Sequence, residues 1–482
     1  MKPNPHDADD ARALSRLGYA QELLRTMGGF SSFALSFSII SVLTGVITTY
    51  KLALTGGGPA GLGLGWPVVS VGTIVVALAM AELASAFPTA GALYHWAALL
   101  GGPTAGWMTA AMNLVGQVAI VAAIDLGCAK AIIVTFVGND RFTFPLFVGI
   151  LASHALVNLV SIRLVSWLND VSAVVHVVGV VTLVGLLFAL GRVQPVSYLA
   201  HTGFTTRTDG SYPLGFLNAM TLGMWTMTGY DASAHVSEET HDASRGAPRG
   251  ILSAVVVSAV AGYALIAALT LAIRDLPQVA ASADPALTIL EQAIGPRGGV
   301  AAMGLAIAAM WFCGLSSVTS ASRTFFAFSR DGGLPGSAWI RMVSARFHTP
   351  HVAIAIATVL PLLLVLVTSL FSGEAFDAAT SLATTALYVS YGAPIALGAI
   401  ARLRGRWTRR GPFRLGALGV PIAGLAVLWC VFVIVVFAIP PNQAYGLTLL
   451  AVMGSLTVLY LVFARGRFKG PKVHVEDLEK SA

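Results

Sequence analysis

Twice along this chain, a long apolar run is interrupted by small polar residues and a glycine. The first interruption is Ser41-Val42-Leu43-Thr44-Gly45, and the second is Thr226-Met227-Thr228-Gly229-Tyr230-Asp231. In hydrocarbon, backbone N–H and C=O groups must find partners within the protein. A broken helix therefore persists only where it is shielded or lines a polar cavity. One break near the start of each half is the pattern of a transporter built from inverted repeats around a site at the membrane midplane.

Only 11% of the 482 residues are charged and 56% are hydrophobic. A soluble domain carries about a quarter of its residues as Asp, Glu, Lys or Arg, so this chain cannot clothe a water-exposed surface. It reads as an all-α polytopic membrane protein. Twelve spans are expected, near 30–50, 66–86, 105–136, 142–161, 167–190, 215–236, 250–273, 298–328, 350–371, 378–401, 417–438 and 444–464. Most have the twenty or so residues that a crossing requires. Spans 3 and 8 are longer, which implies tilt or extension into water. The net charge of +7 does not indicate nucleic acid, because the basic residues lie between apolar runs without interleaved aromatics. Cys128, Cys313 and Cys430 sit in apolar segments without C-x-x-C spacing and read as buried, inert thiols. No cleavable targeting sequence is expected in the first 28 residues, and 12–27 reads as a short amphipathic helix at the interface.

An even number of crossings places both termini on one side. The loops on that side carry 22 Lys and Arg residues against 6 on the other, with Lys130 inside span 3. This bias predicts cytoplasmic termini. Spans 1–5 (29–190) and 6–10 (215–401) form two five-helix halves of opposite orientation, because five is odd. Residues 1–28 form a cytoplasmic leader segment and 191–214 an external connection. A basic loop and two additional spans follow at 402–464, then a cytoplasmic tail at 465–482.

Around the first break, Ser41, Thr44 and Gly45 combine hydroxyls with a flexible point. Such residues also serve close helix packing, so both roles stay open. The second break places Trp225, Thr228, Gly229, Tyr230 and Asp231 together, with His235 following. A broken helix offers N–H groups at one half and carbonyls at the other, suited to a carboxylate and an ammonium respectively. Asp231 either attracts the amine or orients the unwound turn, and a carboxylate within a span is a functional candidate by default. Trp225 and Tyr230 read as a gate or as packing. His176 in span 5 is either a satisfied core histidine or a proton-coupling group. Asn113, Gln117 and Asp125 in span 3 line a pathway or bond internally. The acidic and basic residues of the loop 237–250, Glu238 and Glu239 among them, form a closure-dependent salt bridge with Arg323, Arg330 or Asp331, or simply face solvent. No phosphate loop, metal-ligand cluster or nucleophilic arrangement is present, so an ATP-driven pump or a membrane enzyme has no support.

Several longer motifs add to this reading. They are Gly29-Phe30-Ser31-Ser32-Phe33-Ala34 with Ser36-Phe37-Ser38-Ile39-Ile40-Ser41, Glu82 through Tyr94, Gly229-Tyr230-Asp231 through Glu238-Glu239-Thr240, and Ser322-Arg323-Thr324 through Pro335. From about Gly28 to Arg467 the chain resembles the amino acid–polyamine–organocation permeases, especially the amino acid/choline branch that includes GABA permeases. The resemblance implies the five-plus-five inverted-repeat fold of sodium-coupled amino acid symporters, with two further C-terminal helices. It also implies alternating access, with substrate held at Ser41, Thr44 and Gly45 and at Gly229, Tyr230 and Asp231. Proton-coupled relatives place a span 5 lysine where others bind sodium; His176 stands there and departs from that pattern. The expected function is secondary transport of an amino acid or GABA-like zwitterion with protons, in a bacterial inner membrane. A choline or polyamine permease and an ion-independent exchanger are the alternatives. No cofactor or metal is expected, the coupling ion is a proton, and the carrier is a monomer or weak homodimer.

Overall fold

The computed structural model describes residues 7–207, 210–371, 375–408 and 410–471. Lys2, Arg409, Lys472 and Lys480, which entered the charge tally, lie outside the described residues, as does most of the expected tail. In chain order the helices are α1 (Asp7–Arg16), α2 (Gly29–Ile40), α3 (Val42–Gly63), α4 (Gly65–Ala86), α5 (Ala92–Gly101) and α6 (Pro103–Ile132). They continue with α7 (Thr143–Val160), α8 (Ile162–Leu186), α9 (Tyr212–Thr226), α10 (Ala232–His235), α11 (Ala243–Leu271) and α12 (Leu276–Ala281). The last six are α13 (Pro285–Arg330), α14 (Ser337–Ile340), α15 (His351–Phe371), α16 (Ala375–Leu403), α17 (Gly419–Val436) and α18 (Gln443–Leu459). Among the described residues there is no strand ladder, only an isolated bridge between Met27 and Thr240.

Eleven helical stretches are long and apolar enough to cross a membrane. They match eleven of the twelve expected spans. The sixth, around 215–236, is divided into α9 and the four-residue α10, so neither piece alone has the length. The first stretch runs much further than expected, from Gly29 to Gly63. It continues past the exposed Lys51 and kinks at Gly58, whose φ of 60° precedes Pro59. The eighth also begins earlier. Residues 285–294 form a short helical piece ahead of a kink at Gly295 (φ 79°), next to Pro296.

The bundle is inside-out relative to a soluble protein. Val174, Val178 and Val181 on α8, and Leu425, Leu428 and Val431 on α17, point outward as an apolar girdle. Ser36, Ser38, Asn113, Gln117, Asn158 and Asn169 are buried within. The first stretch is 89% buried along its most apolar window and the last only 11%, which sets α2 and α3 at the centre and α18 at the rim. Small residues allow the central helices to close on each other. A Cβ on Gly56 would lie 2.9 Å from the carbonyl oxygen of Gly215, so α3 and α9 touch backbone to backbone. Further pairings join α6 to α16, α4 to α11, α2 to α8 and α13 to α8.

The leader segment differs from the expected helix over 12–27. Helix α1 ends at Arg16, Gly18 adopts φ 86°, and the following residues form an extended strap. The strap is held by main-chain bonds from Thr26 and Met27 N–H to the Glu239 carbonyl and from His241 N–H to the Met27 carbonyl. Leu14, Leu17, Tyr19, Leu23 and Met27 are buried beneath it. Helix α5, between the second and third spans, is also buried and carries His95, whose Nδ1 lies 3.0 Å from Thr89 Oγ1. Lys130, expected inside span 3, lies exposed at the end of α6, 5.7 Å from the Phe376 ring centroid.

Candidate functional site

The first break is one residue wide. Ser41 adopts a left-handed conformation (φ 33°, ψ 76°), which ends α2 at Ile40 and starts α3 at Val42. Thr44 and Gly45, expected within the break, are instead in the first turn of α3. A helix start leaves first-turn N–H groups without intrahelical partners; here the Thr44 N–H is capped by Ser41 Oγ at 3.4 Å, and the Gly45 N–H bonds the Ser41 carbonyl at 2.9 Å. Ser41 Oγ lies 2.5 Å from Thr44 Oγ1 and 2.7 Å from His176 Nε2. His176 Nδ1 is 2.8 Å from the Ser172 carbonyl, which can only accept. Nδ1 therefore carries the ring hydrogen, and Ser41 donates to Nε2. In this network His176 is satisfied as a neutral ring. Ser38 extends the chain by donating to Ser172 Oγ at 2.7 Å.

The second break is wider. Helix α9 stops at Thr226, and the chain turns through Gly229, whose φ of 83° is natural only for glycine. Trp225 is in the last turn of α9, and Thr228 returns its hydroxyl to the Trp225 carbonyl at 2.8 Å. The Gly229 N–H donates to Tyr391 Oη at 3.1 Å, and that hydroxyl donates to Asp231 Oδ1 at 2.8 Å. Asn113 Nδ2 donates to Asp231 Oδ2 at 3.3 Å, and His235 Nε2 lies 3.1 Å from the same oxygen. Asp231 is wholly buried and committed to these partners, so it holds the unwound turn in place.

The two breaks adjoin. Ser36 donates to the Tyr230 carbonyl at 2.8 Å and accepts from the Ser233 N–H at 2.9 Å, while Ser233 donates to the Ser32 carbonyl at 2.7 Å. A Cβ on Gly45 would lie 2.2 Å from Thr226 Oγ1, and one on Gly229 would lie 2.2 Å from Ile39 Cγ2. Both interruptions are therefore packed against each other at the buried centre of the bundle. The start of α3 and the carbonyl ends of α2 and α9 meet there. The structure thus gathers Ser41, Thr44 and His176 into one network and Gly229, Tyr230 and Asp231 into another. Trp225 lies in the last turn of α9, next to the Thr226 that meets Gly45.

Sequence reasoning did not single out Tyr391. Nor did it give His235 a partner, although its i,i+4 spacing from Asp231 on a helical path was the available signal. The polar residues of span 3 make internal bonds. Asn113 reaches Asp231 and Ser390, Gln117 reaches Ser320 at 3.2 Å, and Asp125 pairs with His154 at 3.1 Å.

One face of the bundle is held together by buried ion pairs, and a cavity on the other approaches the breaks. On the face of the N-terminal strap, Arg330 makes two bonds of 2.8 Å to Glu238, and Arg323 makes bonds of 3.0 and 3.1 Å to Glu239. Burial works against the Glu238 charge, but the Arg330 guanidinium and the Ala90 N–H outweigh it and hold the carboxyl below its ordinary range. Asp331 instead accepts from Tyr19 at 2.7 Å and from Tyr94. On the opposite face, a cavity of about 240 Å³ is lined by Thr48, Lys51, Gly127, Lys130, Met310 and Phe376. Thr48 is one helical turn beyond Thr44, so the cavity floor approaches the breaks.

Comparison with known proteins agrees with this architecture. Residues 27–463 match the family model described as amino acid permease. The chain is 37% identical to the amino-acid permease BAT1 of Arabidopsis thaliana, with 95% of each chain covered. It is 35% identical to the BAT1 homolog of Oryza sativa subsp. japonica, covering 98% of this chain and 96% of that one. It is 29% identical to the GABA-specific permease of Saccharomyces cerevisiae, covering 97% and 87%. A membrane bundle with two adjoining helix breaks, matched along nearly its whole length, is a transporter and not an enzyme: the chain belongs to the amino acid permease family.

Proposed function

We propose that this permease moves an amino acid or a GABA-like zwitterion across a bacterial cell membrane by alternating access, coupled to protons. The adjoining breaks carry this reading. The first turn of α3, at Ser41, Thr44 and Gly45, receives the substrate carboxylate. The carbonyl ends of α2 and α9 receive its ammonium group, and Trp225, Thr228 and Tyr230 shape the space between. Asp231 positions Gly229 and Tyr230 for this task. A plant amino-acid permease and a fungal GABA-specific permease among the relatives support a substrate with both charges.

The fold proposed is two inverted five-helix repeats followed by α17 and α18, and the packing supports it. Matching span n to span n+5, the α6–α16 contact corresponds to α13–α8, α11–α2 to α4–α9, and α6–α7 to α13–α15. The short helix α5 has its counterpart in residues 285–294 ahead of the Gly295 kink. The charge bias of 22 against 6 puts the strap and its ion pairs in the cytoplasm and the cavity outside. The structure then corresponds to a cytoplasm-closed carrier, acting as a monomer or weak homodimer. His176 couples proton to conformation, since a second ring proton on Nε2 reverses its bond to Ser41 and disturbs the turn that starts α3.

The test is uptake by purified protein in liposomes with internal and external ions set separately. A panel of zwitterions, amines and quaternary ammoniums identifies the substrate class. Zwitterion uptake accelerated by an inward proton gradient is expected. Preference for quaternary ammoniums, or indifference to every gradient, overturns the reading in favour of choline transport or exchange. His176→Ala is expected to lower gradient-driven accumulation more than counterflow; wild-type values for both would remove His176 from coupling.

A further inference from the structure

The hydrogen bonds of His235 do not close with a single ring proton. Its Nδ1 is 3.2 Å from the Ala90 carbonyl oxygen and 3.2 Å from Thr324 Oγ1. The Thr324 hydroxyl is directed to the Ser320 carbonyl at 3.1 Å, so both neighbours accept and Nδ1 must donate. A neutral imidazole then has a bare lone pair at Nε2. That atom faces Asp231 Oδ2 at 3.1 Å, and both side chains are fully buried. An ionised carboxylate opposite a bare imidazole nitrogen leaves two lone pairs in opposition and a buried net charge. One further proton between Oδ2 and Nε2 removes both penalties. The pair is then neutral overall, whether written as carboxyl and imidazole or as carboxylate and imidazolium. His176 differs, because its ring is satisfied as it stands.

The pair also lies between the two working parts of the molecule. Asp231 is fixed to the Gly229 turn through Tyr391, at the substrate compartment. On its other side, the Ala90 residue whose carbonyl takes the His235 hydrogen donates its own N–H to Glu238 Oε1 at 3.1 Å. Glu238 is the acidic member of the lock with Arg330. The titratable and charged groups facing the pair are Tyr230 in the same turn, Tyr391 with Tyr388 on α16, and, beyond Ala90, the Glu238–Arg330 and Glu239–Arg323 ion pairs. Helices α6 and α13 contribute Asn113 and Thr324, which do not titrate.

Given a proton-coupled carrier, as proposed above, we infer that in the cytoplasm-closed state, where the coupling residue His176 is satisfied as a neutral ring, the transported proton is held by Asp231 and His235 together. Opening of the lock displaces Ala90 and admits water to His235. The proton passes from the pair to that water, leaving an Asp231 carboxylate that is now hydrated. On return to the cytoplasm-closed state the carboxylate takes its next proton from the opposite side, which restores the neutral buried pair and completes one proton moved per cycle.

The experiment counts protons moved per substrate in liposomes, using a trapped pH indicator beside labelled zwitterion, for wild type, His235→Gln and Asp231→Asn. Counterflow checks that each variant is folded and binds substrate. The wild type is expected to move protons with substrate, and His235→Gln to lose at least about tenfold in protons per substrate relative to counterflow. Asp231→Asn is expected to behave likewise, because its amide places a permanent donor where the mobile proton sits, and it carries the test if His235→Gln fails to fold. A wild-type proton count in either folded variant overturns the assignment. A wild type that moves substrate without protons instead overturns proton coupling itself, so the two failures are distinguishable.

Discussion

At the scale of single residues, the central contact is Gly45 against Thr226. A Cβ on Gly45 would fall 2.2 Å from Thr226 Oγ1 and 2.6 Å from its Cβ, so α3 and α9 approach there only because Gly45 has no side chain. Gly45→Ala is expected to destabilise the protein by about 1–3 kcal/mol through overpacking and to depress counterflow. Adding Thr226→Gly removes the opposing atoms and is expected to restore part of both. Thermal unfolding in detergent and counterflow in liposomes check this pair, and an additive double variant would show that the contact is unimportant. Gly45 was visible in the sequence as a candidate hinge. Its actual work, close approach one turn inside α3, was not, because that depends on which residue lies across the interface. The same holds for Tyr391, which fixes the second break from a helix 160 residues away.

At the scale of elements, the lock joining α13 to the Ser237–Glu239 turn is the simplest two-state part. Glu238 is fully buried and bound on two sides by Arg330. Removing the guanidinium leaves a buried, uncompensated carboxylate, a change that costs about 3–5 kcal/mol in comparable pairs. Arg330→Ala is therefore expected to favour the cytoplasm-open form. Measured as labelling of Ser233→Cys by an impermeant maleimide from the cytoplasmic side, the rate should rise by about tenfold or more. An unchanged rate would mean that the ion pair does not hold the gate. Because the Glu238 carboxyl is held below its ordinary range, its contribution is present above the unfolded carboxylate value of about 4.3 and is lost only as pH falls through the lower folded value. The lock is thus expected to be equally closed from pH 5.5 to 8, and pH-dependent labelling across that range in wild type would have to arise elsewhere. The spans themselves were legible because length and apolarity are imposed by the bilayer. The strap, helix α5 and the kinks at Gly58 and Gly295 were less so. Each is shaped by a neighbour: the strap by the Glu239 and His241 backbone, and the first stretch by its packing on α9 beyond Lys51.

At the scale of the whole molecule, buried ion pairs on the strap face and a cavity on the opposite face fit the proposed end state of a carrier, with substrate proposed to sit where the two broken helices meet. The adjoining breaks were expected from glycine and hydroxyl placement in two apolar runs, and Ser36, Tyr230 and Ser233 now tie them together. The proposed repeat symmetry gives this compartment its position, since each half brings one broken helix to the same point. It also explains why the polar residues of span 3 bond internally: they brace the breaks against α13 and α16. The most direct measurement is an experimental structure of the protein with the zwitterion that gives the largest counterflow. The substrate carboxylate is expected within hydrogen-bond distance of the first-turn N–H groups of α3 after Ser41, with its ammonium at the carbonyl ends of α2 or α9. Density for the substrate in any other cavity, with the compartment between Gly45 and Gly229 still closed and empty, would contradict the account.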